Sequence, residues 1–293
     1  MTEPPKPPAM LSFAIGEYAR EDKADLPQVE AELARVQKVF ALFGVEDETW
    51  DVPMAGRGHA AVTERLEKWC QDGKARDTVL YWIGHGELTG RGARLLTGDA
   101  TSSIRPADLA EALGDRAYAA PEPVWTFAVV DACHSKTFVE QAGSALRTDE
   151  GQHHVVLFGV SGTGTTRLGE FGTALERVVG TDFRGRATIP LRDLAVRLRE
   201  LLHGSDFSEP SGLSPRARLV RRDPWLSVRG PLDMMDGLDA ALRRLAPDRI
   251  QEFTESARHA RDAQLGDVTW HLQSGRVNRQ HVLPGAAGGG IGS

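Results

Sequence analysis

Two hydrophobic rhythms alternate along this chain. Short, nearly solid apolar runs occupy Leu11–Gly16, residues 79–84, residues 124–130 and His154–Val160. Runs of that length, apolar on both sides of the strand alternation, predict strands buried on both faces. Between them the apolar positions spread to a helical period. Leu26, Val29, Leu33, Val36, Val39, Phe40 and Phe43 make one stripe across Asp25 to Phe43, and Gly44 follows as a stop signal. Similar stripes predict helices over Ala60–Trp69, Pro106–Leu113, Thr173–Val179 and Leu191–Leu202. Glu48–Val52 and Arg94–Thr97 read as further short strands.

Strands alternating with helices predict an α/β fold with a mainly parallel central sheet and helices on both faces. The Pro-rich residues 1–9 read as a disordered lead-in, and residues 10–231 as the main domain. Residues 134–153 read as a loop, and residues 203–231 as loops around one last strand at 217–220. Residues 232–293 read as a mostly helical C-terminal extension, with a stripe from Asp233 to Ala263 and a flexible Gly-rich end. A helical stripe of that kind packs on its own core or serves as a docking face for a partner.

Chemistry concentrates where two apolar runs stop. One reads Tyr81-Trp82-Ile83-Gly84-His85-Gly86-Glu87, the other Val129-Val130-Asp131-Ala132-Cys133-His134-Ser135. In open α/β sheets, ligands bind beyond the carboxyl ends of strands. If these strands are neighbours, a thiol and an imidazole face one cleft, the components of a cysteine nucleophile with a histidine base. The backbone amides of Gly86 and Cys133 are then natural donors to a developing oxyanion. Without that pairing, Cys133 would be an ordinary buried cysteine and His85 a core histidine bonded to a carbonyl.

Composition narrows the setting. The chain has 293 residues, two cysteines and a formal net charge of −6. A disulfide framework is not expected, and a reducing cytoplasm suits a free catalytic thiol. The basic residues are scattered, so no nucleic-acid footprint is expected. No apolar run approaches the roughly 18–20 residues of a membrane span, and the Pro-rich start lacks a signal-peptide core.

Tyr81-Trp82-Ile83-Gly84-His85-Gly86 resembles the histidine motif of caspase-like cysteine peptidases. Asp131-Ala132-Cys133-His134-Ser135 resembles their cysteine motif in its bacterial and metacaspase version. Ala14-Ile15-Gly16-Glu17-Tyr18 and the following helix are similar to the family's opening strand and helix. Gly169–Leu175 is similar to the segment after a later strand. The resemblance spans about residues 10–222 and implies a caspase–hemoglobinase fold with a His85/Cys133 dyad. One departure is Lys136, where the family motif has glycine after the serine. A catalytically silent caspase-like interaction module is the alternative reading.

Asp131 stands two residues before Cys133 and so on the same side of the strand. A buried acid at a pocket base selects Arg or Lys, and the resemblance points the same way, towards cleavage after Arg and less often Lys. Glu87 and Asp99 are weaker candidates for that pocket. The resemblance also implies processing after the nucleophile strand, which makes Arg147 a candidate self-cleavage site. The arginines at 216, 218, 221 and 222 mark a second candidate region. Metacaspase-like relatives often need calcium, but no acidic loop here resembles a calcium site. A regulatory partner or proteolysis is therefore the expected trigger, with bacterial defence or cell death as the expected setting. No cofactor or resident metal is expected.

Three rival motifs fall short. Gly159–Thr166 nearly fits a phosphate loop but carries Thr165 in place of the lysine. His85-Gly86-Glu87 matches half of a zinc deaminase motif, and the paired cysteines of the other half are missing. His153 and His154 begin a strand side by side, so their rings point to opposite faces.

Overall fold

The computed structural model describes residues 6–72, 76–99, 102–119, 124–147, 154–162, 168–184, 186, 188–210, 213, 216–221, 226–230, 268–273 and 276–281. The last three segments are described by their backbone alone.

The chain opens with β1 (Ala9–Ala14), α1 (Val29–Ala41), β2 (Glu46–Glu48), α2 (His59–Asp72) and β3 (Thr78–Ile83). A small antiparallel sheet follows: β4 (Gly86–Thr89), β5 (Gly92–Leu96) and β6 (Ser103–Ile104). Then come α3 (Pro106–Ala119), β7 (Thr126–Asp131), α4 (Ser135–Arg147), β8 (Val155–Gly159) and α5 (Glu170–Arg177), which continues into a π turn. The first unit ends with β9 (Thr188–Pro190), α6 (Leu191–Leu201), β10 (Asp206–Ser208) and β11 (Arg218–Val220).

The main sheet has six strands in the order β10-β8-β7-β3-β1-β2. All pairs are parallel except β10 with β8. β1, β3, β7 and β8 are buried along their whole length. That explains their unbroken apolar runs, since each must bury both faces. Even so, the alternation sorts the cores. Val79, Tyr81, Ile83, Phe127, Val129, Val156 and Phe158 pack against α1, α5 and α6. Leu80, Trp82, Ala128, Val130 and Leu157 pack on the other face against α2, α3 and α4. From β1 the chain steps outward to β2, then returns past β1 to β3, β7 and β8. The crevice at such a reversal opens at the carboxyl ends of β1 and β3.

The expected strands and helices are present with shifted ends, but one expected loop is not a loop. Residues 135–147 form α4. Phe138, Val139, Ala142 and Leu146 make its buried stripe. The polar Ser135-Lys136-Thr137 start hides this stripe in the linear pattern. β4, β6, β9 and β10 are not expected from the sequence; each is short and gains its pairing from a neighbour rather than from its own pattern.

Contacts divide the chain into two units, with residues 221–293 in the second. In that unit β12 (Leu226–Gly230), β13 (Val268–Gln273) and β14 (Arg276–His281) form an antiparallel sheet. The described part of the expected helical extension is therefore a β-hairpin, and β12 pairs with it rather than with the main sheet. The helix expected at 233–263 and the Gly-rich end lie outside the described residues.

Candidate active site

The two strand ends are neighbours. β3 and β7 pair in parallel with Ile83 opposite Asp131, and the Gly84 amide donates to the Asp131 carbonyl at 3.2 Å. The loops beyond them touch. A Cβ at Gly86 would lie 2.1 Å from the Cys133 carbonyl oxygen, so only glycine permits this approach.

His85 is oriented from three sides. Its Nε2 lies 2.8 Å from the Ala24 carbonyl oxygen. A carbonyl only accepts, so Nε2 carries the hydrogen and Nδ1 of the neutral ring is left free to take a proton. The His85 backbone amide donates to Tyr18 Oη at 2.7 Å, and that hydroxyl donates to the Ile15 carbonyl at 2.8 Å. The Tyr18 ring packs on the imidazole with centroids 4.7 Å apart. Burial pushes the Tyr18 phenol well above its ordinary range, with the charges of Asp25 and Cys133 acting in the same direction. Tyr18 is thus a neutral hydrogen-bonding post. A side chain at Gly84 would collide with its hydroxyl, at 2.7 Å from the added carbon.

Glu87 is held by ion pairs. It pairs with Arg20 at 3.5 Å and Lys23 at 3.8 Å, tying segment 18–25 to the turn that carries His85. Asp99 is likewise engaged elsewhere, accepting from the His59 amide at 2.9 Å at the start of α2.

Cys133 sits in a turn followed at once by α4. His134 has a φ of 60°, the left-handed conformation that reverses the chain there. The turn is locked to the end of β8 by two serines. Ser161 donates its amide to Ser135 Oγ at 2.8 Å, and its own hydroxyl donates to the Ala132 carbonyl at 2.9 Å. The Lys136 amide donates to the Ser161 carbonyl at 2.8 Å. Both serines are buried. The N-terminus of α4, a helix of 13 residues, begins two residues after Cys133 and favours negative charge nearby.

Asp131 is 3% exposed, on the α1 and α5 side of the sheet. Its Oδ2 accepts from Tyr81 Oη at 3.1 Å, and Tyr81 stacks on Phe171. Burial pushes the Asp131 carboxyl up to about 7, Glu32 and Glu170 add to the rise, and the Tyr81 hydrogen bond opposes it. Among the described residues no Lys or Arg pairs with Asp131. Glu32, also buried, accepts from the Gly172 amide at 2.7 Å and caps α5, whose own N-cap, Gly169, supplies no side chain.

Arg147 is the last residue of α4 and exposed; its guanidinium donates to Ser144 Oγ at 2.9 Å. It borders residues 148–153, which lie outside the described residues. Arg216 and Arg218 are exposed, the latter on β11. Gly159–Ser161 close β8 against the Cys133 turn, and residues 163–167 lie outside the described residues. Among the described residues no helix is long and apolar enough to cross a membrane. The sequence reading missed Tyr18, Ala24, Tyr81, Ser135 and Ser161. Tyr18, Tyr81 and Ser135 stand inside the quoted motifs, which mark the segments but not the partners of these side chains; Ala24 carries no signal.

No protein-family model and no curated protein matches the chain. Solved structures do. The crystal structure of caspase-1 from Spodoptera frugiperda aligns with a TM-score of 0.51 over 71% of this chain and 88% of that one, at 12% identity. The structure of pro-sf-caspase-1 aligns with a TM-score of 0.48 over 73% and 94%, at 11% identity. The chain has the caspase-like fold, an α/β architecture with a mostly parallel six-stranded sheet.

Proposed function

We propose that this chain is a cysteine endopeptidase that cleaves proteins after basic residues, Arg before Lys. The observation that carries the reading is the contact of the two strand-end loops, with Gly86 against the Cys133 carbonyl and the His85 ring held by Ala24. In this mechanism Nδ1 of His85 accepts the thiol proton and the Cys133 sulfur attacks the scissile carbonyl carbon. The amides of Gly86 and Cys133 receive the oxyanion. The imidazolium returns the proton to the leaving amine, and water then hydrolyses the thioester with His85 again as base.

The preference for a basic side chain rests on Asp131. It is a buried carboxyl with two further acids near it and no cationic partner among the described residues. An incoming guanidinium supplies the missing charge, and a charged pair is stronger when desolvated. Processing at Arg147 and release by a partner or by proteolysis belong to the same reading. So does a place in a reducing cytoplasm.

The test is covalent labelling with a peptide chloromethylketone ending in Arg, beside hydrolysis of fluorogenic Arg, Lys and Asp peptides, with and without calcium. Labelling at Cys133 and turnover of Arg peptides are expected. Preference for Asp peptides overturns the specificity, and no adduct under any condition favours the silent module.

A further inference from the structure

β4 leaves the candidate site directly, since its first residue, Gly86, follows His85. It is an edge strand. The small sheet runs β4-β5-β6, and among the described residues no strand pairs with the outer side of β4. The register shows which backbone groups face that side. β4 and β5 are antiparallel, with Thr89 opposite Gly92 across the tight turn Gly90-Arg91, so Thr89 and Gly92 form a hydrogen-bonded pair. The next such pair is Glu87 with Arg94. The one after it is His85 with Leu96, whose amide donates to the His85 carbonyl at 3.0 Å. Both ends of the hairpin therefore give the same alternation. In an antiparallel ladder the residues between such pairs turn their N–H and C=O outward. On β4 these are Gly86 and Leu88. The turn that holds them is itself fixed. Thr89 Oγ1 donates to the Gly92 carbonyl at 3.1 Å and accepts from the Arg91 amide at 3.2 Å. Leu88 is 51% exposed, an apolar side chain beside this open row.

An open row of alternating donors and acceptors is a template for an extended peptide. Its place selects which one. Gly86 N–H is an oxyanion donor in the proposed mechanism, so the row begins at the scissile carbonyl. His85 must reach the leaving nitrogen, so the chain beyond the scissile bond departs on the His85 side, where β4 starts. We propose that the outer edge of β4 binds the substrate segment that follows the scissile bond, as a parallel strand. In a parallel pair one residue bonds to two partner residues that stand two apart. Gly86 takes the scissile carbonyl oxygen on its N–H, and its C=O accepts the amide of the second residue after the bond. The carbonyl of that second residue accepts from the Leu88 amide, and the fourth residue donates to the Leu88 carbonyl. The amide of the third residue points away from β4. The assignment to substrate rests on the peptidase reading above.

The test methylates single amides of the substrate and so leaves the protein intact. Internally quenched peptides with one Arg followed by a run of threonines, which favour extended chain, are compared. An N-methyl group on the second residue after Arg should lower kcat/KM about tenfold, as for one lost hydrogen bond with its acceptor blocked. The same group on the third residue should leave it unchanged. Equal loss at both positions, or no loss at the second, overturns the pairing. Binding is measured without catalysis on the Cys133→Ala chain, with NMR following hydrogen exchange at the Leu88 amide as the same peptides are added. The unmethylated peptide should slow that exchange about tenfold at saturation, as an edge amide gains a partner. The peptide methylated at the second residue should lose this protection, and the one methylated at the third should keep it. A Leu88 amide that exchanges equally fast at every peptide concentration overturns the proposal. An unsubstituted chain that cleaves no Arg peptide removes the peptidase reading, while the exchange measurement still decides whether the β4 edge takes a strand.

Discussion

The two halves of the proposed dyad are held by different physics. The Cys133 turn is fixed by buried, neutral hydrogen bonds between Ser135, Ser161 and the ends of β7 and β8. The His85 turn is fixed by one loop, residues 18–25, through Tyr18, the Ala24 carbonyl and the half-exposed ion pairs of Glu87. Buried hydrogen bonds resist salt and cost the full desolvation of a group when broken. Exposed ion pairs contribute little and are screened. Cys133 is therefore the fixed partner, and His85 is the one whose position responds to its surroundings.

The strongest blow to this contrast is Ser135→Ala. It strands the buried Ser161 amide and should cost about 1–3 kcal/mol of stability, with turnover falling as the nucleophile turn loosens. Thermal melting beside kcat measures both, and an unchanged melting temperature would break the contrast at its root.

Asp131→Asn comes next and acts below the same turn. The Tyr81 hydrogen bond can persist, so the loss falls on binding of the basic side chain, about 10- to 100-fold in kcat/KM for Arg peptides, as for a charged hydrogen bond. Its pH behaviour has a definite sign. A carboxyl raised to about 7 when folded holds its proton more tightly than when unfolded. Its contribution to stability is complete below the ordinary carboxylate range and is lost as pH rises through about 7. Arg binding needs the anion and so improves over the same interval. The parent chain should lose melting temperature and gain Arg affinity from pH 6 to about 8. Asp131→Asn should flatten both curves. A parallel slope in the variant assigns the titration to another group.

On the histidine side, Tyr18→Phe removes the acceptor for the His85 amide and should lower kcat about tenfold with KM little changed, as for one lost hydrogen bond near the chemistry. A loss confined to KM would place Tyr18 in substrate binding instead. Glu87→Gln is the mildest change. A fall in kcat of about two- to threefold is expected in dilute buffer, vanishing as salt screens the parent's ion pairs. Salt-independent loss would show that Glu87 acts through something other than its charge.

Much of this architecture was legible before any coordinates. β1, β3, β7 and β8 are buried on both faces, so their apolar runs are local and unbroken. His85 and Cys133 stand out because each interrupts such a run with chemistry. The loop expected after Cys133 illustrates the opposite case. Phe138, Val139, Ala142 and Leu146 become a helical face only when β8 and α3 lie beneath them, and the polar residues at the start of α4 masked the stripe.

The order of apolar runs and the residue types at their ends were enough to define the α/β class and to single out His85, Cys133 and Asp131 as candidates. Those properties depend on a few residues in series, where periodicity and side-chain chemistry act. The partner of each group was decided by the fold. Ala24 orients His85 across 61 positions of chain, Tyr81 reaches Asp131 across 50, and Ser161 locks Ser135 across 26. Such pairings depend on strand order and register, and a linear pattern holds no record of which distant residues a sheet will set side by side.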